Sequence, residues 1–213
     1  MLRTSDEEYQ LTRKIKLGKM TMDEKFAPLA NWINKAYNVV ILNIITDTIQ
    51  DDTTRLQLIF EHEKDTAVFL LQDRFSLSSR KRKAIEKKYR DLFQDDVSKS
   101  ILVLFYAFEP LAREEAVASI PIKLRNAFKQ KFSETLWEVA VFGQYVTFFF
   151  FTNDALHSAE QRKQTIAIKN EYYALLKPLD RFNYFTLENF NSIFDSKENF
   201  DLNYDSNWRW YYS

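Results

Sequence analysis

Glycine occurs at only two of 213 positions, Gly18 and Gly143, and this scarcity constrains the chain more than any other feature. Loops that cradle phosphates need backbone that approaches the ligand closely and adopts positive φ, which glycine supplies. Two glycines so far apart make neither a P-loop nor a dinucleotide-binding turn. For the same reason no Gly-x-Ser-x-Gly elbow presents a serine nucleophile.

Other absences narrow the chemistry further. The chain has no cysteine, which removes disulfides, thiolate catalysis, Cys-ligated zinc and iron–sulfur clusters. Residues 1–8 are polar and lack the apolar core of a signal peptide. The longest apolar runs, 101–108 and 146–151, fall far short of the ~20 residues a membrane helix needs. The expected address is the cytoplasm, with no membrane partner. Basic and acidic residues balance at 30 each, so no global field draws the chain to nucleic acid or anionic lipid. No motif implies a cofactor, a metal or a catalytic set.

Periodicity sets the expected elements. Ser5 with Glu8, and Thr21 with Glu24, read as capping boxes. Met22, Phe26, Leu29, Ala30, Ile33 and Tyr37 then fall on one helical face, whereas the first helix shows no clean stripe. Residues 39–45 suit a buried strand. Asp51-Asp52-Thr53 reads as a turn, after which Leu56, Leu58 and Phe60 alternate with Arg55, Gln57 and Glu61. Together these predict a hairpin over about 38–61. Residues 66–72 lean toward a further strand. Ser79 caps a helix to about Phe93, and the apolar run 101–108 reads as a central strand. A helical stretch over 111–132 is interrupted at Pro121. Trp137, Val139 and Val141, then Val146, Phe148 and Phe150, alternate around Gly143-Gln144, which predicts a second hairpin over about 136–151. A helix capped by Asn153 or Asp154 ends near Pro178, and 208–212 is a candidate edge strand.

The expected fold class is α+β. An antiparallel or mixed sheet is built from the two hairpins and the central strand and packed by helices, in a single domain over 1–213. Two orders fit: a ferredoxin-like βαββαβ unit from Ile101 onward, or a duplicated αββαβ arrangement with pseudo-repeats of about 20–108 and 109–213.

Four groups of residues could carry chemistry. Glu61-His62-Glu63-Lys64, with Asp47, Asp51 or Asp52 on the paired strand, could hold Mg²⁺ for phosphodiester cleavage. Against this, metal nucleases place lysine two residues after the acid on one strand face, whereas Glu61 and Lys64 are three apart. His157 with Glu160 reads as an exposed helix pair. The basic run Arg80, Lys81, Arg82, Lys83, Lys87, Lys88 and Arg90 opposes the macrodipole near its helix start; phosphate, an acidic protein or anionic lipid would account for it. From Phe182 onward, aromatic residues interleave with Glu188, Asp195, Glu198, Asp201 and Asp205 against only Lys197 and Arg209.

An acidic aromatic surface suits ring anchors that meet a basic partner. The reading favoured is a non-catalytic interaction module of inhibitor or immunity type. It would engage a protein partner through Tyr204, Asp205, Trp208, Trp210 and Tyr211. The alternatives are a nuclease-like metal enzyme using Glu61 and Glu63, and a nucleic-acid-associated protein using the 80–90 helix. Homo-oligomerisation is open.

Overall fold

Alternation of apolar and polar residues places both hairpins where the pattern predicts. In the computed structural model, which describes residues 2–71, 76–94 and 100–213, β1 (Ile41–Thr48) pairs antiparallel with β2 (Thr54–Phe60). Likewise β4 (Leu136–Phe142) pairs antiparallel with β5 (Tyr145–Phe150). The chain is α+β and divides into two compact units, Met1–Pro110 and Leu111–Ser213.

In the first unit, β3 (Ile101–Ala107) runs parallel to β2 from Thr54↔Ile101 to Phe60↔Ala107. The order is β1-β2-β3, so β2 is central and β3, expected at the centre, lies at an edge. A continuous apolar run does not say how many strands flank it, and here Leu102 within the run is exposed. β3 also closes the first sheet rather than opening a βαββαβ unit. One face of this sheet buries Leu56, Leu58, Phe60 and Val103 against Leu29 and Ile33 of α2 (Ala27–Tyr37) and Ile85 and Tyr89 of α4 (Ser79–Phe93).

The other face meets α1 (Glu7–Lys16) through polar contacts. Asn43 Nδ2 donates to Thr12 Oγ1 at 3.1 Å, and Gln57 Nε2 donates to Glu8 Oε1 at 3.3 Å. Thr12, Asn43 and Gln57 are all buried, which is why α1 shows no apolar stripe. Residues 66–72 do not form the expected strand. Glu63–Ala67 is a short helix, α3, with two acids in its first turn where the helix dipole favours them. The chain then turns so that Leu70 bridges Leu77 and Phe69 packs among Tyr37, Phe60 and Phe105. Gln72 lies outside the described residues.

The second unit repeats the plan. After α5 (Phe108–Ala118) and α6 (Ile122–Lys131) come the hairpin, then α7 (Asn153–Gln161) and α8 (Gln164–Leu176), then β6 (Ser192–Ser196) parallel to β5. The order is β4-β5-β6. Both hairpins carry a register shift at the same point, between Ile41 and Asn43 and between Leu136 and Glu138. The expected single helix from 153 to 178 is broken at Lys163, which is left-handed (φ 57). The expected edge strand at 208–212 is instead a helix, α10 (Trp208–Tyr211), preceded by α9 (Lys197–Tyr204).

Among the described residues, eight that are not glycine hold positive φ, including the C-caps Asn38, Gln94 and Asp205. With glycine so scarce, left-handed turns fall to residues that pay a Cβ clash for them. No described helix is long and apolar enough to cross a membrane.

Candidate interaction surface

The second sheet is covered on both faces, and its outer face is aromatic. On the inner face, Leu136, Val146, Phe148 and Phe150 join Phe128, Ile168 and Tyr172. On the outer face, Phe149 meets Phe200 of α9 at 5.9 Å and Trp208 and Tyr211 of α10 at 5.4 and 5.2 Å between ring centroids. The register shift between Leu136 and Glu138 turns Trp137 onto this outer face, away from Val139 and Val141. The plain alternation expected for those three residues is corrected accordingly. A row of near-parallel rings results. Trp137 stacks with Trp208 (6.1 Å, 3°), Trp208 with Tyr212 (6.1 Å, 14°) and Tyr212 with Phe142 (4.6 Å, 10°).

A four-residue helix has no stability of its own in water, so tertiary contacts must hold α10. Asn207 Oδ1 caps it, accepting from the backbone N–H of Arg209 at 2.9 Å and of Trp210 at 3.4 Å. The Tyr211 hydroxyl donates to Asp195 Oδ2 at 2.6 Å. Burial, with that carboxylate as hydrogen-bond partner, pushes the Tyr211 phenol well above its ordinary range. Burial raises Tyr212 as well.

These contacts sort the five partner-binding candidates. Tyr211 is anchored on Phe149 and Asp195, and Tyr204 packs edge-on against it at 4.8 Å. Trp208 is 39% exposed but stands at the centre of the ring cluster, 4.3 Å from Phe200. Trp210 is 54% exposed, and among the described residues it stacks with no other ring. Asp205 is exposed in the left-handed cap of α9. Earlier in the tail, Tyr184, Phe185, Phe190 and Phe200 are buried core. Trp137 and Phe142 join the surface without a signal in the tail, because they arrive from β4.

Most of the tail's acids are engaged within the unit. Asp195 also accepts from Asn199 Nδ2 at 2.9 Å. Glu198 Oε2 accepts from Asn153 N at 2.9 Å, and Asp201 pairs with Lys197 and takes the Ser206 hydroxyl. Glu188 and Asp205 are the tail acids that remain exposed without such a contact among the described residues.

The basic run lies on α4 and is divided. Lys81 Nζ donates to the Val68 carbonyl at 2.5 Å, and Arg82 pairs with Glu86 at 3.4 Å. Arg80, Lys83 and Lys87 are exposed, while Lys88 and Arg90 are partly buried. The Ser78 hydroxyl caps the helix by accepting from Lys81 N at 3.5 Å.

The carboxylates proposed to share a cation are separated by the hairpin itself. Asp47 faces Arg55 near the turn, with bonds of 2.8 and 2.5 Å that hold its carboxyl below the usual range. Asp51 and Asp52 sit in that turn. Glu61 lies at the open end, its N–H donating to Val40 O at 2.8 Å. The six residue steps from Arg55 to Glu61, at ~3.3 Å each, put about 20 Å between the two groups. Glu61 instead meets Lys16 Nζ at 2.5 Å, and Glu63 and Lys64 are exposed. Among the described residues no three His, Asp or Glu side chains converge as a metal site requires.

His62 Nδ1 lies 2.8 Å from Glu109 Oε2. Glu109 follows β3 by the same two residues as Glu198 follows β6, and both reach the start of the helix after the middle strand. A carboxylate in that place complements a helix N-terminus, so Glu109 and Glu198 have the same structural role, one in each unit. His157 is exposed, 3.5 Å from Glu160. No family model, no curated protein and no solved structure matches the chain.

Proposed function

We propose that the chain is a non-catalytic interaction module that docks a protein partner on the aromatic surface of α9 and α10. The observation that carries this reading is Trp210: half exposed, without a ring partner among the described residues, on a short helix fixed by its neighbours Trp208 and Tyr211. Binding hot spots favour tryptophan held ready in its bound position, because little rotamer freedom is then lost on docking. The partner such a surface fits offers a pocket for an indole and a cation for Asp205. An inhibitor or immunity-type role toward a basic protein rests on Asp205 and Glu188, since the other tail acids have partners inside the unit.

Affinity capture with the full chain tests the reading, comparing the native sequence with Trp210→Ala in nuclease-treated lysate. A stoichiometric protein retained by the native chain and lost from a folded Trp210→Ala supports it. Equal retention by both, or loss of all bound material on nuclease treatment, contradicts it.

A further inference from the structure

In the order β1-β2-β3, β1 has a partner on one side only. An antiparallel strand directs the N–H and C=O groups of alternate residues away from its partner. One side of β1 therefore carries backbone groups that no strand pairs: among the described residues no other backbone group hydrogen-bonds to that edge over residues 42–48, and while Asn43 and Ile44 are buried, the strand opens to solvent from Ile45 to Thr48.

A groove of about 330 Å³ borders this edge, and the four consecutive residues 43–46 line it. Successive strand residues point to opposite faces, so a groove touching all four meets the edge itself and not one face. Its far wall is apolar: Leu11 and Ile15, neighbours on one side of α1, with Met20 and Phe26 beyond the helix end. On its rim, Lys25 pairs with Asp23 at 3.1 Å, which leaves no net charge there to recruit an ion.

We propose that this groove takes an extended, uncharged peptide segment of another protein as a fourth strand on β1. The main chain of that segment completes the open hydrogen-bond ladder. Its alternate side chains, apolar, lie against Leu11, Ile15 and Met20. Main-chain pairing supplies affinity in such complexes, and the pockets beside the edge supply specificity. Water can satisfy the edge but gains nothing from the apolar wall. A second copy of the chain is the competing occupant: a dimer of the native chain in size-exclusion chromatography that Met20→Glu abolishes would assign the edge to self-pairing and overturn the proposal.

The test pans the full chain against a display library of random short peptides. Binding of the enriched peptides is then measured by fluorescence polarisation to the native chain, to Met20→Glu and to Trp210→Ala. Met20 is 44% exposed, so its replacement leaves the fold intact, as circular dichroism will verify. The expected result is binding that falls at least about tenfold, or ~1.4 kcal/mol, in Met20→Glu and is unchanged in Trp210→Ala. N-methylation of the peptide at alternate residues should abolish binding in one parity and spare it in the other. An unproductive selection, binding indifferent to Met20→Glu, or binding lost in Trp210→Ala overturns the proposal. The last outcome would assign the peptides to the aromatic surface and leave that reading standing.

Discussion

Trp208 separates the structural part of the aromatic tail from the part available to a partner, and replacing it by alanine tests the division. The residue is 39% exposed, so roughly three-fifths of a side chain that buries up to ~250 Å² is removed from water. That is about 150 Å², or ~4 kcal/mol at ~25 cal/mol/Å². Compactness of the unfolded chain trims the figure to about 3 kcal/mol. The loss falls on Trp137, Phe149, Phe200, Tyr211 and Tyr212 together, since all five rings pack against this indole. Urea unfolding followed by tyrosine and tryptophan fluorescence should show a midpoint lower by about 1–3 M, given slopes of ~1–3 kcal/mol/M. Hydrogen exchange at the Arg209 and Trp210 amides, which the Asn207 cap now protects, should speed up in the same variant. Trp208→Phe should recover part of both effects. A midpoint unchanged by Trp208→Ala, with the two amides still protected, would refute the claim that the ring row holds α10 on the sheet.

Two further outcomes follow from the second unit. Tyr172 is fully buried, and burial pushes its phenol up to about 12 against an opposing effect of Arg125. A raised folded-state value favours the neutral phenol, so this contribution is complete below pH 10 and is lost as the pH rises from 10 to 12. About two pKa units amount to about 3 kcal/mol. Alkaline titration of stability should therefore be flatter in Tyr172→Phe than in the native chain, and identical profiles would contradict the assignment. Lys163 occupies the left-handed position between α7 and α8, where an L-residue costs ~1–2 kcal/mol and glycine loses ~0.5–1 kcal/mol in chain entropy. Lys163→Gly should stabilise by about 0.5–1 kcal/mol, seen as a melting temperature higher by a few degrees; a lower melting temperature would count against the strain argument.

The hairpins were legible because a period of two survives in the sequence whatever packs around it. The place of β3 in its sheet was not, since an apolar run over residues 101–108 reads the same at a centre or at an edge. α1 hid for a different reason: the side it buries carries Thr12 and Glu8, which satisfy Asn43 and Gln57, and such a face has no apolar stripe. Trp137 was assigned to the wrong face because a register shift of one residue reverses every side chain before it, and no residue type announces that shift. The tail's aromatic content was plain, but its charge was misleading. Asp195 and Glu198 find partners only through the folded arrangement of β6, α7, α9 and α10, while Asp201 pairs with Lys197 one turn away on α9. The metal reading failed on register, because the turn that pairs Asp47 with Arg55 carries those acids to the end of the sheet opposite Glu61. Matched strand order, matched register shifts and the matched placement of Glu109 and Glu198 support the duplicated arrangement, although little in the residues of the two halves suggests it.

The central claim is that Trp210 is presented to a partner while Trp208 and Tyr211 hold it in place. The most direct measurement is capture from nuclease-treated lysate by three proteins side by side: the native chain, Trp210→Ala and Met20→Glu. Trp210→Ala should cost less than about 1 kcal/mol of stability, as a half-exposed residue with no ring contact among the described residues, yet lose a stoichiometric partner that the native chain and Met20→Glu both retain. A partner held equally by all three proteins would place recognition elsewhere and contradict the account.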